Sequence, residues 1–338
     1  MRFFKRETGK TCFASIHQGR WSENGEHFPY MNIPPCLQRG IFISIVIVTL
    51  NTERFIKKCL ESIYCQSYRE FEVIVVDNGS RDETVRIIIS DFPQVRLIRN
   101  KENIGFCRAN NLGIKTAIGE AILTLNSDIV LEKDFLENLI KTYQNAKKDI
   151  GMFATRILNW NGKTIDSTGL ILTRARRFYD RGYGKAIEYK DNSEIIGPCA
   201  AAALYKREML EDIKINDEYF DEKFFFLVED VDIAWRAKNR SWRVEYVPEA
   251  KCFHYRNSTN FNRNFRQYLS FRNRYYLILK NESKSGLIKF LPFFCIYDIP
   301  RFLYLLLTNK HHTILALKEL FKNSPAMLNN RKRRIIES

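Results

Sequence analysis

Hydrophobic and polar residues alternate in regular blocks along the first half of the chain. The continuous β-branched run IFISIVIVTLN predicts a strand buried on both faces, and the helically spaced apolar residues of TERFIKKCLESIYCQ predict a helix after it. The same alternation recurs in FEVIVVD with SRDETVRIIISDF, VRLIRN with GFCRANNLGIKTAIG, and EAILTLNSD with KDFLENLIKTYQ. Four such units between residues 41 and 145 predict a doubly wound parallel α/β sheet, in which ligands bind at the carboxyl ends of the strands.

The pattern changes beyond residue 150. GMFATRIL, TIDSTGLILT, GPCAAAALY and WRVEYVP predict short strands, whereas EDVDIAWRAKNR and the basic, aromatic FRQYLSFRNRYYLILKN predict helices. Strands and helices therefore continue in the second half without the regular alternation of the first.

Polar residues follow two of the predicted strands. Asp77 ends FEVIVV and precedes a tight turn at Gly79. Asn126 and Asp128 end the fourth strand and, being two residues apart on an extended backbone, point the same way. Oxygen ligands at such a position suit a hard divalent cation and its phosphates. The alternatives are that Asp77 caps the following helix and that Asn-Ser-Asp is an ordinary turn.

Three further candidates lie in the second half. Glu229 and Asp230 follow the apolar stretch FFFLV, which can raise a carboxyl pKa toward the range that a general base needs. The alternative is that they are first-turn acids of a helix, followed by an i,i+4 pair of Asp232 with Arg236. His254 is a lone histidine after a strand, and it gains functional interest only if the fold brings it to Asp128.

In combination, these stretches resemble the family 2 inverting glycosyltransferases of the GT-A fold, and most of all the bacterial rhamnosyltransferase-like branch. The resemblance spans about residues 43–280 and is carried by SIVIVTLN, VIVVDNGSRDET, NIGFCRANNLGI, GEAILTLNSDI, FFFLVEDVDIAWR and VPEAKCFHYR. It implies a mixed GT-A sheet, with residues 41–260 as the catalytic domain.

The resemblance also implies a role for each candidate. The nucleotide-diphospho-sugar would be bound by Thr49, Asn51, Asp77, Asn103, Gly105 and Asn126. A Mg²⁺ or Mn²⁺ ion would be held by Asp128 and His254, and Asp230, with Glu229 beside it, would be the catalytic base. The first position of the family's DxD motif is Asn126 here; this matches the rhamnosyltransferase-like branch and removes one negative charge from the metal site.

The net charge of +15 is concentrated at the C-terminus, where the residues from Lys251 onward include 17 basic and four acidic ones. The apolar run FLPFFCIYDIPRFLYLLLT is interrupted by Asp298 and Arg301, and we expect Pro292 and Pro300 to break it. Residues 261–338 are therefore expected to form interfacial helices on an anionic membrane surface and not a membrane span. A helical subdomain packed on the catalytic domain and a nucleic-acid surface are the alternatives.

These features predict an enzyme that transfers a sugar, rhamnose by resemblance, to a hydroxyl of a lipid-linked or polysaccharide acceptor in cell-surface glycan synthesis. The expected location is the cytoplasm, at the inner face of the cell membrane, since we find no secretory signal, and the eight cysteines, most of them among apolar residues, are expected to be buried free thiols in a reducing compartment. Residues 1–40 are expected to be a poorly ordered extension. The alternative is a non-catalytic nucleotide-sugar-binding protein of the same fold. An oxidoreductase is disfavoured because no GxGxxG motif follows the first strand, and no nucleic-acid partner is expected.

Overall fold

The computed structural model describes residues 40–256 and 262–336, so the extension expected for residues 1–40 lies, up to residue 39, outside the described residues. The strands are β1 Ile43–Thr49, β2 Phe71–Asp77, β3 Arg96–Arg99, β4 Ala121–Asn126, β5 Ile129–Leu131, β6 Ile150–Asn159, β7 Ile165–Ser167, β8 Leu170–Leu172, β9 Phe178–Asp180, β10 Ala202–Lys206 and β11 Arg243–His254. The helices are α1 Ile56–Tyr64, α2 Thr84–Asp91, α3 Phe106–Thr116, α4 Phe135–Asn145, α5 Arg207–Ile213, α6 Glu229–Asn239, α7 Arg263–Asn281, α8 Lys284–Phe293, α9 Ile299–Thr308 and α10 Lys310–Ile336.

One mixed sheet organises the protein. Its strand order is β3-β2-β1-β4-β10-β6-β11-β5, with β7 paired to β6, and β8 and β9 form a separate hairpin. The four strands of the predicted strand–helix units are parallel to one another. Strand β10 is antiparallel to both β4 and β6, and β11 is parallel to β6 but antiparallel to β5. The predicted α/β class with a mixed sheet is confirmed.

The central strands of the sheet are covered on both faces, because β1, β2 and β4 consist largely of buried residues that point alternately to each side. In β1, Ile45 and Ile47 contribute to one hydrophobic core and Val46 to the other, in accord with the two-residue period of a strand. Helices α1, α2 and α4 pack on the first face, and α3, α5 and α6 on the second. Each of these fully buried branched side chains stabilises the fold by about 1.5–3 kcal/mol.

Helix α7 joins the second face. Its Tyr276 and Leu277 are fully buried within the same core as α3 and α6. The C-terminal region expected to be helical thus begins with an element that packs directly on the sheet's helical layer. Helices α8 to α10 follow α7 and carry most of the exposed large apolar side chains described below.

The expectation that Pro292 and Pro300 break the C-terminal apolar run is wrong. The residues Lys284–Thr308 form one continuous helical stretch, in which a π-helical segment at Phe294–Asp298 lies between the two prolines. Asp298 is buried and paired with Arg274, 2.8 Å away, so it does not interrupt the apolar surface. By length and composition alone, with a mean hydropathy of 1.5, this stretch could cross a membrane.

Candidate active site

A cleft lies at the carboxyl ends of β1 and β4, where the sheet changes from parallel to antiparallel pairing. Its volume is 420 Å³. The sequence-predicted residues that line it are Thr49, Asn103, Asn126, Asp128, Glu229, Asp230 and His254. These side chains come from both halves of the chain, so the fold brings together most of the candidates that the sequence pattern had picked out separately.

His254 and Asp128 meet because β11 and β5 are antiparallel, with His254 opposite Ile129. His254 Nε2 lies 3.3 Å from Asp128 Oδ1, and His254 Nδ1 lies 2.8 Å from Asp166 Oδ2. Burial opposes the charged imidazolium, but the hydrogen bonds and charges of the two carboxylates outweigh it and raise the pKa of His254 to about 9. The imidazole is therefore held between two carboxylates.

Asp166, Asp180 and Arg256 are site residues that the sequence analysis missed. The Arg256 guanidinium contacts the Asp166 carboxylate and lies 2.8 Å from Asp180 Oδ2. Asp166 is fully buried, and Asp180 and Arg256 line the cleft. The sequence offered one signal for this cluster, which is Asp166 within the predicted strand TIDSTG. A carboxylate buried in a strand requires a charged or hydrogen-bonding partner.

Glu229 and Asp230 begin α6 in different environments. Asp230 is partly exposed, and its two carboxylate oxygens accept hydrogen bonds from the backbone N–H groups of Val231 (2.8 Å) and Ala200 (3.4 Å). Burial and the charge of Asp180 raise the pKa of Asp230 to about 6. Glu229 is buried, its Oε2 has no hydrogen-bond partner, and burial together with the Asp230 charge raises its pKa to about 8. At neutral pH, Asp230 is therefore the ionised member of the pair.

The Asn103-to-Phe106 turn fixes one wall of the cleft. Asn103 Oδ1 accepts hydrogen bonds from Asn78 Nδ2 (3.1 Å) and from the backbone N–H of Gly105 (2.9 Å). Gly105 does not line the cleft; its φ is +91°, and a Cβ atom there would lie 2.5 Å from the Phe225 ring. The glycine is thus required both by its backbone conformation and by the close approach of Phe225.

Asp77 and Asn51 are not among the residues that line the cleft. Asp77 is buried and accepts a hydrogen bond from the backbone N–H of Ser80 at 3.2 Å. Asn51 is exposed, and its Oδ1 accepts a hydrogen bond from the backbone N–H of Arg81 at 2.8 Å. Both residues organise the loops after β1 and β2. The alternative that Asp77 caps the next helix is wrong, because that helix begins at Thr84.

The Asp128–His254 pair fits a divalent cation that also has a bound diphosphate as a ligand, provided that the cation displaces the proton that the two carboxylates stabilise on His254. Within residues 40–256 and 262–336, no group of three or more His, Cys, Asp or Glu side chains could hold a metal ion alone. Asp128 and His254 face the cleft, and Asp166 orients His254 through the other ring nitrogen, as is usual for metal-binding histidines. Mg²⁺ in particular is commonly held by only one or two carboxylates together with substrate phosphates and water.

A mixed sheet of this topology, with an acidic cleft at the ends of its parallel strands, is the GT-A fold of glycosyltransferases. The family model described as glycosyl transferase family 2 matches residues 44–214, just over half of the chain. The chain belongs to that family.

Curated relatives and solved structures agree with this membership. The chain is 26% identical over 252 residues to the low-salt glycan biosynthesis hexosyltransferase Agl10 of Haloferax volcanii, which covers 72% of this chain and 77% of that protein. It is 36% identical over 115 residues to the dolichyl N-acetyl-alpha-D-glucosaminyl phosphate 3-beta-D-2,3-diacetamido-2,3-dideoxy-beta-D-glucuronosyltransferase of Methanococcus voltae, covering 32% of this chain and 36% of that one.

A similar fold occurs in S. aureus TarS 1-349, solved in complex with UDP-GlcNAc. The TM-score is 0.57 at 19% identity, covering 87% of this chain and 90% of that chain. Several curated relatives match over a smaller share, since the chain spans 29% to 37% of the length of three of them.

The packing of Phe225 on Gly105 can be tested by substitution. Gly105→Ala should lower the free energy of unfolding by about 2–4 kcal/mol, because the added methyl group strains a positive-φ backbone and collides with the Phe225 ring. Gly184→Ala is the matched control, since Gly184 also has a positive φ but no atom within 4 Å of the added Cβ. We expect about 1 kcal/mol for the control. Equal losses in urea unfolding would contradict the role of Phe225.

Proposed function

We propose that this protein is an inverting glycosyltransferase that moves a sugar from a nucleotide-diphospho-sugar to an acceptor hydroxyl. The observation that carries the proposal is the convergence of Asp128, Asp230 and His254 on one cleft. Family membership and the UDP-GlcNAc complex of the structurally similar TarS support a nucleotide-sugar donor. Residues 41–260 are assigned to the catalytic domain, on which α7 packs, and the helices α8 to α10 that follow it to a membrane-interface region.

Asp230 is the general base in this proposal. Its carboxylate is held by two backbone N–H groups and is ionised near neutral pH, whereas the buried Glu229 stays protonated. Asp230 takes the proton from the acceptor hydroxyl as that oxygen forms a bond to the anomeric carbon. The bond from the anomeric carbon to the diphosphate breaks in the same displacement, so the configuration at that carbon is inverted.

The opposite side of the cleft binds the donor. Thr49, Asn103 and Asn126 line the cleft and are the proposed contacts of the nucleotide-sugar. Asn51, Asp77 and Gly105 support them by holding the adjacent loops in place. A Mg²⁺ or Mn²⁺ ion held by Asp128 and His254 would neutralise charge on the leaving diphosphate.

The acceptor is proposed to be lipid-linked and presented at the inner face of the cell membrane, as in cell-surface glycan synthesis. The dolichyl-type substrate in the name of the Methanococcus voltae relative supports a lipid-linked acceptor. The C-terminal helices expose large apolar side chains, among them Leu307 (87% exposed), Phe321 (78%) and Ile288 (74%). Such residues flanked by lysines are typical of helices that lie in a membrane interface. Rhamnose is the proposed donor sugar, on the basis of Asn126.

A donor screen tests the proposed reaction. The full-length protein is incubated with a polyprenyl-diphosphate-linked sugar as acceptor and with dTDP-rhamnose, UDP-sugars or GDP-sugars as donor, with and without Mn²⁺, and release of the nucleoside diphosphate is measured. We expect turnover with one nucleotide class, highest with dTDP-rhamnose, and loss of turnover when EDTA removes the cation. Turnover unaffected by EDTA would contradict the metal assignment, and no turnover with any donor would favour a non-catalytic nucleotide-sugar-binding protein.

Substitution of the base should separate chemistry from donor binding. Asp230→Asn should lower kcat by about 10²–10⁴-fold while leaving the Kd of the donor nearly unchanged. Because the pKa of Asp230 is raised to about 6, the wild-type rate should be constant at neutral pH and fall as the pH drops below about 6. Asp180→Asn removes a negative charge that raises this pKa, so the fall should begin at a lower pH.

The matched control for the base is Asp149→Asn, because Asp149 forms only an exposed ion pair with Arg243. Its kcat and pH profile should equal those of the wild type. Wild-type turnover by Asp230→Asn would reassign the base to Glu229.

Membrane attachment is tested by flotation of the full-length protein with vesicles that contain anionic lipid. We expect binding that is weakened at high salt and released by alkaline carbonate, since an interfacial helix does not cross the bilayer. Leu307→Glu should reduce flotation, and Ile118→Glu, at an exposed apolar residue of the catalytic domain, should not. Resistance to carbonate would indicate a membrane span, and no flotation would refute the docking proposal.

A further inference from the structure

Three of the four residues that precede the Glu229–Asp230 pair have a strained backbone. Phe225, Leu227 and Val228 have φ angles of 63°, 72° and 64°, in the left-handed region that non-glycine residues rarely adopt. A β-branched residue such as Val228 is especially disfavoured there. A segment like this keeps its conformation only if its surroundings fix it, and such strain is typical of functional sites.

The backbone carbonyls of this segment reveal what fixes it. Asn273, on helix α7, donates from its Nδ2 to the carbonyl oxygens of Phe224 (2.9 Å), Phe226 (2.8 Å) and Leu227 (2.9 Å). The two carbonyls that remain accept from backbone N–H groups: that of Phe225 from Cys107, and that of Val228 from Asp232. One side-chain amide nitrogen, with two N–H groups, therefore lies within hydrogen-bond distance of three of the five consecutive carbonyls, and the Phe224 carbonyl also accepts from Arg272.

The Asn273 amide is itself held in one orientation. Asn273 is fully buried, and its Oδ1 accepts a hydrogen bond from Arg272 Nε at 3.0 Å. Arg272 also donates from Nη2 to the carbonyl oxygens of Lys223 (2.9 Å) and Phe224 (3.1 Å). Because Oδ1 faces a guanidinium, the amide nitrogen faces the strained segment, and the opposite assignment would place two donors together.

Helix α7 also holds the chain on the other side of the Glu229–Asp230 pair. Lys280 Nζ lies 2.7 Å from Asp221 and 2.8 Å from Asp232, and Asn281 Nδ2 donates to Asp232 Oδ1 at 2.8 Å. Asp221 precedes the strained segment and Asp232 lies in the first turn of α6. Helix α7 thus fixes the chain on both sides of Asp230.

We propose that Asn273 is a positioning residue, which holds the strained segment 225–228 so that Asp230 is directed at the acceptor hydroxyl. The inference rests on the proposed function of Asp230 as general base. It predicts that the chemical step depends on a side chain that does not line the cleft. Small displacements of a catalytic group are costly, since about 1 Å can lower the rate about 100-fold.

The test is the substitution Asn273→Asp in the full-length protein. A carboxylate of the same shape can keep the bond to Arg272, but it cannot donate to the three carbonyl oxygens when ionised. We expect kcat to fall about 10–100-fold, with the KM of the donor changed by less than about threefold. Hydrogen exchange of the backbone amides in 225–230 should become faster. Asn264→Asp, an exposed position on the same helix, is the matched control and should leave kcat and exchange unchanged.

A second variant and a second measurement keep the proposal falsifiable. If Asn273→Asp does not fold, Asn273→Ser decides, because its single hydroxyl can donate to only one carbonyl and should still lower kcat without a matching rise in KM. Unchanged kcat, or equal losses in kcat and donor affinity, would overturn the positioning role. Failure of the proposed function gives a different pattern: the wild type then shows no turnover, while faster exchange in Asn273→Asp still supports the constraint and unchanged exchange refutes it.

Discussion

A buried ionic cluster between α6 and α7 is the constraint on which the rest of the site depends. Asp232 is fully buried and contacts both Lys280 (2.8 Å) and Arg236 (2.8 Å), while Lys280 also reaches Asp221 (2.7 Å). Removing one partner from such a cluster typically costs about 3–5 kcal/mol, because the remaining charges stay buried without compensation. The cluster therefore fixes the position of α7 relative to α6, and with it the position of Asn273.

The cleft itself is a product of the mixed sheet. Parallel strands bring Thr49 and Asn126 to the same edge, since their chain directions and registers match. The antiparallel pairing of β11 with β5 then places His254 beside Asp128, and the backbone N–H of Tyr255 donates to the Asp128 carbonyl at 3.1 Å. A purely parallel sheet would have supplied the side of the cleft lined by Thr49 and Asn126 without the histidine, so the change in strand direction completes the cleft.

Sequence patterns predicted the parts of the fold that rest on local periodicity. The β-branched runs became the buried parallel strands, and the polar residues at their ends reached the cleft at Thr49, Asn126 and Asp128. The same reasoning did not find residues whose role depends on partners that are distant in the chain. The role of Asp166 becomes visible only when the fold places His254 beside it. The role of Asn273 becomes visible only when the fold places three carbonyl oxygens, 46 to 49 residues earlier in the chain, next to its amide. No local pattern reports either contact.

The basic residues of the C-terminal region show that composition alone does not predict the charge of a protein surface. The excess of basic residues after Lys251 suggested a surface for anionic lipid, yet Arg272, Arg274 and Lys280 are buried and paired with carboxylates inside the protein. Arg274 also links the loop between β8 and β9 to the helical stretch Lys284–Thr308, since it donates to the carbonyl oxygen of Ala175 and to Asp298. Among the residues whose side chains the structure describes in α8 to α10, Lys284, Lys289, Lys310, Lys318 and Lys322 are exposed, as is Arg301. The proposed attraction to an anionic membrane would therefore rest on the cations that stay exposed together with the exposed apolar area, because part of the charge in the sequence is already neutralised within the fold.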